Sequence, residues 1–298
     1  MIQANCTVKI RMMRFEKVCL ITGGNSGIGK QAAIQLAKIG FHVIIGVRNL
    51  ERGEVADIRE KSGKDDVELL QIDLSSKKSI IDASHELNNR VVKLDVLIHN
   101  AADFDISRKQ PEKSVDGMES IWATNHIGPV LLTDLLLDLI KKSEQGRIIT
   151  IASQGLVMHP TMTVDLDDPE FKNRKFSVSN AYYQSKLAQV MYTYWLADQL
   201  KDTNVTVNGI RVTNVKVDIS RYPNISGLMK LLYSIKSKFS ISPENMARTY
   251  TYLASSTDLS KTTGKYFNEK NKPVTSSAYS MKKENIDAVM ELTMKYLN

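Results

Sequence analysis

Cysteine is scarce in this chain of 298 residues, with two copies, Cys6 and Cys19. Cys6 lies in a polar stretch and Cys19 in an apolar run. No Cys-x-x-Cys or Cys/His cluster appears, so neither a disulfide framework nor a zinc site is indicated. That usage suits a reducing compartment, and a cytoplasmic location is the expectation. The five histidines (His42, His85, His99, His126, His159) are far apart and lack ligand spacing. Each reads as a surface or core residue, and no metal is expected. Long hydrophobic runs are missing too. Nothing approaches the ~18 apolar residues of a membrane span, and the longest candidate, residues 129–140, is broken by Thr133, Asp134 and Asp138. The first 14 residues carry Lys9, Arg11 and Arg14 but no apolar stretch fit for a signal peptide, and read as a loose tail. There is no internal repeat and no low-complexity linker. Charge of one sign does not cluster either. Lys and Arg number 40 against 33 Asp and Glu, for a net charge of +7, but the basic residues are scattered as on a solvated surface. This argues against nucleic-acid binding.

What is present is an ordinary globular composition, 42% hydrophobic and 24% charged, which excludes a disordered, collagen-like or disulfide-scaffold chain. Strand-like and helix-like segments alternate from Lys17 onward. Short apolar runs at 18–22, 42–47, 67–72, 94–99, 147–152, 205–212 and 265–267 read as strands. Helical spacing is found at 28–39, from an Asn49 cap to 61, at 76–89, 114–142, 182–200, 224–239, 243–254 and 282–297. Alternation of this kind predicts an α/β fold, one doubly wound parallel sheet of about seven strands in the order 3-2-1-4-5-6-7, covered by helices on both faces. The expected layout is one Rossmann-type domain over residues 15–298.

The turn Thr22-Gly-Gly-Asn-Ser-Gly-Ile-Gly29 joins the first strand to the first helix. Its glycines, Gly23, Gly27 and Gly29, allow a tight turn and let backbone N–H groups approach a pyrophosphate. The helix start offers free N–H groups and a positive dipole end. The second strand ends in Val47-Arg48-Asn49 with no acid before Glu51. A ribose 2′-hydroxyl would call for an acid there, whereas Arg48 would attract a 2′-phosphate. NADP(H) is therefore favoured over NAD(H). Tyr182-Tyr183-Gln184-Ser185-Lys186 places Tyr182 and Lys186 four residues apart, on one helix face. A cation beside a phenol favours the phenolate and suits it to acid/base work near neutral pH. Tyr183 is three residues from Lys186, so Tyr182 is the candidate and Tyr183 a lining or packing residue.

Together with Ile72-Asp73-Leu74-Ser75, Leu97-Ile98-His99-Asn100-Ala101-Ala102, Thr124-Asn125-His126-Ile127-Gly128 and Ile151-Ala152-Ser153, these motifs resemble the short-chain dehydrogenase/reductases from about Phe15 onward. Within that family the chain is most similar to the retinol dehydrogenase and WW-domain oxidoreductase-like branch. The resemblance implies a proton donor or acceptor at Tyr182 and a ribose-holding lysine at Lys186. It implies a substrate-oxygen contact at Ser153 and a water relay supported by Asn125. For the cofactor it implies contacts from Gly23, Gly27, Ile28 and Gly29, with Asn25 and Ser26 beside the 2′-phosphate. Asp73 and Leu74 would lie near the adenine, Asn100 and Ala101 along the ribose, and Val215 at the carboxamide. A core-facing Asn125, a capping Ser153 and a turn-forming Asp73 are the plainer readings. The chain departs from the family at His99 and Ala102 (an Asn and a Gly in the pattern), at Val212-Thr213 (a Pro-Gly), and at Val217 (a Thr or Ser).

The segment 224–240 alternates Ile225, Leu228, Met229, Leu232 and Tyr233 with Lys230, Lys236 and Lys238. This basic amphipathic stretch falls where the family places a substrate lid, at about 220–242. It reads as a lid over an apolar substrate with lipid contact in reach, or as a helix packed on the core. The expected activity is NADP(H)-linked interconversion of a carbonyl and an alcohol on a small lipophilic substrate. The alternatives are a C=C reductase using the same cofactor, as in protochlorophyllide reductase, and a non-catalytic dinucleotide sensor or scaffold. Substrate identity, reaction direction and association into a homo-oligomer stay open.

Overall fold

The computed structural model describes residues 16–50, 55–216 and 240–297. Eight strands form one sheet: β1 (Val18–Thr22), β2 (His42–Val47), β3 (Val67–Gln71), β4 (Val96–His99), β5 (Gly146–Ser153), β6 (Val205–Val212), β7 (Lys265–Phe267) and β8 (Pro273–Val274). Their order is β3-β2-β1-β4-β5-β6-β7-β8. All neighbours are parallel except β7 and β8. β1, β2 and β4 are buried along their whole length, which explains why they read as unbroken apolar runs rather than alternating ones.

The helices are α1 (Gly27–Lys38), α2 (Val55–Ser62), α3 (Lys77–Arg90), α4 (Ser120–Trp122), α5 (Gly128–Lys141), α6 (Val178–Gln199), α7 (Pro243–Ser255), α8 (Ala278–Met281) and α9 (Lys283–Leu297). The sheet separates two apolar cores. One joins Leu20, Ile44, Leu97 and Ile148 to Leu87 of α3, Leu132 and Leu136 of α5, Met191 of α6 and Val289 of α9. The other joins Cys19, Ile21, Ile45 and Ile98 to Leu36 of α1, Ile58 of α2 and Tyr250 of α7. Because the strand order grows outward from β1 in both directions, right-handed crossovers place helices on both faces. Among the described residues, no helix is long and apolar enough to cross a membrane.

The structure adds an eighth strand to the seven expected. β8 is two residues long and begins with a proline, too short to leave a pattern. The helical reading of 114–142 holds only from Ser120. Gly117 turns with φ 79, and Lys113 and Glu119 pair as an isolated bridge. The helix then changes pitch. Residues Ala123–Ile127 form a π turn between α4 and α5, a feature common at functional sites. α6 starts four residues before the expected 182, where the Ser177 side chain accepts from the Asn180 N–H. α2 ends one residue past the expected 61, while its reading from the Asn49 cap crosses residues 51–54, which lie outside the described residues. The tail 1–14 and the amphipathic segment 224–239 also lie outside them.

Candidate active site

The predicted residues converge on the C-terminal edge of the sheet, where β1 and β4 lead off in opposite directions across it. Crevices at such a switch point are where open α/β sheets bind ligands. The turn after β1 has the shape a phosphate needs. Gly27 has φ 56, and a Cβ built on it would meet nothing within 4 Å, so the turn is open on that side. A Cβ on Gly29 would come within 2.4 Å of Asn100 Nδ2 and 2.7 Å of the Gly23 carbonyl, so only glycine fits there. Ser26 is extended at the helix start, and no side-chain cap bond covers the first turn of α1. Those N–H groups, with Ile28 next in line, are a ready anion site. Backbone, open space and dipole therefore fit a dinucleotide pyrophosphate.

Asn100 holds the turn from behind. Its Nδ2 donates to the Thr22 carbonyl at 2.9 Å and the Gly23 carbonyl at 3.1 Å. Its Oδ1 accepts from the Tyr250 hydroxyl of α7 at 3.2 Å. The Ala101 N–H donates to Thr22 Oγ1 at 3.1 Å. Arg48 is exposed just beyond β2, and its carbonyl accepts from Gln71 Nε2 at 3.4 Å. Asp73 has the plainer role foreseen for it. Its Oδ1 accepts from the Ser75 N–H at 2.9 Å and hydroxyl at 2.7 Å, which shapes the turn after β3. Leu74 is buried, with its carbonyl close to Gly128 at the start of α5. Val215 lies beyond β6, bridged in parallel to Ile241.

The other wall is α6. Lys186 is buried, and its Nζ donates to the Ile151 carbonyl of β5 at 2.9 Å. It lies 5.7 Å from the centroid of the Tyr182 ring. Burial pushes its ammonium down to about 8, so it remains a cation at neutral pH. Ser153 ends β5, and its Oγ accepts from the Gly155 N–H at 3.1 Å. That is the capping role, and it leaves the hydroxyl proton available to a second acceptor. Asn125 sits in the π turn, buried, with Nδ2 donating to the Asp103 carbonyl at 3.0 Å and to Ser185 Oγ at 3.1 Å. Its Oδ1 accepts from the Asp103 N–H at 2.6 Å. Ser185 in turn donates to the Tyr182 carbonyl at 2.7 Å. Asn125 is thus core-facing and tied to the Tyr182–Lys186 stretch at once.

Tyr183 packs away from Lys186. A Cβ on Gly155 would fall 2.3 Å from its hydroxyl, and its ring lies 4.5 Å from that of His159. His99, which replaces an Asn of the family pattern, is buried, and its Nε2 is 2.7 Å from Thr133 Oγ1. Burial first, and the Lys186 charge second, push it down to about 3, so it is neutral. Sequence reading missed Phe104, whose ring centroid is 4.2 Å from that of Tyr182. A lone aromatic in a loop leaves no periodic signal. It also missed Asp103, whose backbone holds Asn125 while its carboxylate accepts from Arg108 and from Ser120 of α4.

A family model described as short chain dehydrogenase matches residues 17–164. Human retinol dehydrogenase 13 is 36% identical over 256 residues, spanning 84% of this chain and 76% of that protein. Human retinol dehydrogenase 14 is 34% identical, over 85% of this chain and 78% of its own length. Among solved structures, an uncharacterized protein from Mycobacterium paratuberculosis superposes with a TM-score of 0.72 at 27% identity, covering 94% of this chain and 93% of that one. A short chain dehydrogenase from Escherichia coli CFT073, complexed with NADPH, shares the fold with a TM-score of 0.66 at 22% identity, over 86% and 97%. The chain belongs to the short-chain dehydrogenase/reductase family of nicotinamide-dinucleotide oxidoreductases, in its retinol dehydrogenase-like branch.

Proposed function

We propose that this protein is an NADP(H)-dependent oxidoreductase that interconverts a carbonyl and an alcohol on a small lipophilic substrate. The observation that carries the reading is the buried Lys186 ammonium, anchored on the Ile151 carbonyl and 5.7 Å from the Tyr182 ring. It stands on the same sheet edge as the open glycine turn. A nicotinamide dinucleotide bound there supplies or accepts the hydride. Tyr182 Oη holds the proton that moves to or from the substrate oxygen. Ser153, with its lone pair on the Gly155 N–H, donates its own proton to that oxygen. Lys186 has three donors. One is on Ile151, and the others serve the ribose and the phenol, whose ionised form the cation favours. Asn125 keeps the π turn against α6.

Arg48 supports the NADP(H) preference, since an exposed guanidinium closes β2 where an acid would disfavour a 2′-phosphate. The substrate's apolar character is supported by the side chains around Ser153 and Tyr182. Phe104 packs against Tyr182, and Val157 and Met158 on the turn after Ser153 are 57% and 80% exposed. The test is a panel of aliphatic aldehydes, ketones and retinoids, followed by NADPH and NADH absorbance. Retinoids belong in it because the relatives carry retinol dehydrogenase names. Turnover of apolar aldehydes or retinoids with NADPH, with the alcohol as product, supports the reading. A saturated carbonyl product points instead to C=C reduction, and binding without turnover to a sensor.

A further inference from the structure

Two residues beyond Tyr182, Gln184 faces the other way. Positions two apart on an α-helix are about 200° apart around the axis, while Tyr182 and Lys186 share a face. Gln184 is 2% exposed and its amide is bonded at both ends to one loop, residues 164–176. Its Nε2 donates to the Pro169 carbonyl at 2.9 Å. Its Oε1 accepts from Arg174 Nη2 at 2.7 Å and from the Asp165 N–H at 3.2 Å. The loop is stiff in its own right. The Asp168 carboxylate accepts the N–H groups of Lys172, Asn173 and Arg174 at 2.7, 2.9 and 3.0 Å. The Arg174 guanidinium lies 3.7 Å from the Phe171 ring centroid. Phe171 is buried at φ 57, a left-handed backbone that an aromatic residue adopts only where its surroundings enforce it. It packs with Ile121 and Ala181, and Tyr182 lies against that cluster.

The same loop reaches the other catalytic element. Buried Glu170 accepts the Glu119 N–H at 2.9 Å on one oxygen, and the Tyr296 hydroxyl at 2.9 Å and Lys172 Nζ at 2.8 Å on the other. The Glu119 side chain caps α4 through the Ile121 and Trp122 N–H groups at 3.1 and 2.8 Å, and α4 runs directly into the π turn that carries Asn125. One loop therefore grips both the helix of Tyr182 and the helix of Asn125.

We propose that residues 164–176 are a brace that sets the placement of Tyr182 in the site, with Gln184 as its positioning residue. Gln184 touches no reacting atom and acts through the helix it anchors. The inference rests on Tyr182 being the proton-transferring group. A misplacement of about 1 Å in a catalytic group can cost ~100-fold in rate, so a loosened anchor shows in kcat before it shows in dinucleotide binding.

The test uses the full chain. Gln184→Met keeps the side-chain length and removes all three bonds. Gln184→Glu keeps the acceptor for Arg174 and the Asp165 N–H. Arg174→Met removes one of the three Gln184 bonds, together with the Arg174 bond to the Asp168 carbonyl, its ion pair with Asp165 and its contact with the Phe171 ring. Tyrosine carrying a 13Cζ label reports the ionisation of each phenol that titrates, and Tyr182→Phe identifies the Tyr182 signal. In Gln184→Met the Tyr182 curve should move by half a pH unit or more, with tyrosines that do not touch the loop unmoved. Gln184→Glu should restore it toward wild type, and Arg174→Met should fall between. On the carbonyl compound that turns over best, kcat should fall about 10-fold in Gln184→Met, with the NADPH Kd within twofold. Should Gln184→Met not fold, the other two variants carry the measurement. A Tyr182 curve that overlays the wild type in every folded variant overturns the brace. Full turnover by Tyr182→Phe overturns the proton-transfer assignment instead, a separate outcome.

Discussion

The rings of Phe104 and Tyr182 lie 4.2 Å apart, centroid to centroid, tilted by 33°, with Lys186 Nζ 5.7 Å from the centroid of the Tyr182 ring. The Tyr182 ring has an aromatic ring as one neighbour and a buried cation as another, and substitutions on each partner should have distinct signatures.

Tyr182→Phe should lower kcat by ~10²–10⁴-fold, the usual contribution of a positioned acid/base group, and leave the dinucleotide Kd nearly unchanged. Tyr183→Phe should stay close to wild type, because that ring packs on Gly155 and His159. Steady-state kinetics and fluorescence titration of both variants check this, and a reversed order sinks the assignment of Tyr182.

Phe104→Ala removes the ring facing Tyr182. An aromatic pair contributes ~0.5–1.5 kcal/mol beyond its area, which is roughly 2- to 10-fold at ~1.4 kcal/mol per tenfold. The loss should appear in kcat/KM for large apolar carbonyls and be smaller for a short aldehyde. Equal losses for both substrates would mean that Phe104 serves the fold and not the pocket.

Arg48→Ala should weaken NADPH and leave NADH almost unchanged, since only NADPH carries the 2′-phosphate. A hydrogen bond to a charged group contributes ~1.5–3 kcal/mol, or roughly 10- to 150-fold. The effect should shrink as salt is added, because Arg48 is exposed and its field is screened. Dissociation constants for both cofactors and both proteins decide it. An equal loss for the two cofactors would place Arg48 on the adenine or in support of the fold.

Lys186 also predicts a pH dependence of stability. Burial lowers its pKa from 10.5 to about 8. Between those values the unfolded chain binds the proton more strongly than the native one, so stability rises with pH across that window. Below about 8 both states are protonated, and the full cost of burying the charge remains. At ~1.4 kcal/mol per pH unit, the window spans about 3 kcal/mol. Urea unfolding of the cofactor-free protein at pH 7.5 and at pH 10 should show this gain in wild type relative to Lys186→Met. Parallel curves for the two proteins would contradict the depressed lysine.

Much of this site was readable in the sequence because its parts are local. A glycine turn, an arginine ending a strand and two residues four apart on a helix each depend on near neighbours. The parallel strands were readable because burial on both faces makes them unbroken apolar runs. What was not readable depends on distant partners. Asn125 meets Ser185 across 60 positions, and the amide of Gln184 is used by a loop up to 19 residues upstream. The helical region expected from 114 onward starts later, because Gly117 turns the chain first and Glu119 caps the helix. β8 exists because β7 offers it an edge. The helical spacing around Asn125 is continuous, and nothing local announces the extra residue of the π turn.

The Asn100 contact to Tyr250 spans 150 positions of chain, and this orders events at the ribosome. The glycines of the phosphate cradle emerge early, while the hydroxyl that completes the Asn100 bonding emerges only with α7. A nascent chain that has reached β5 holds the cradle unfinished.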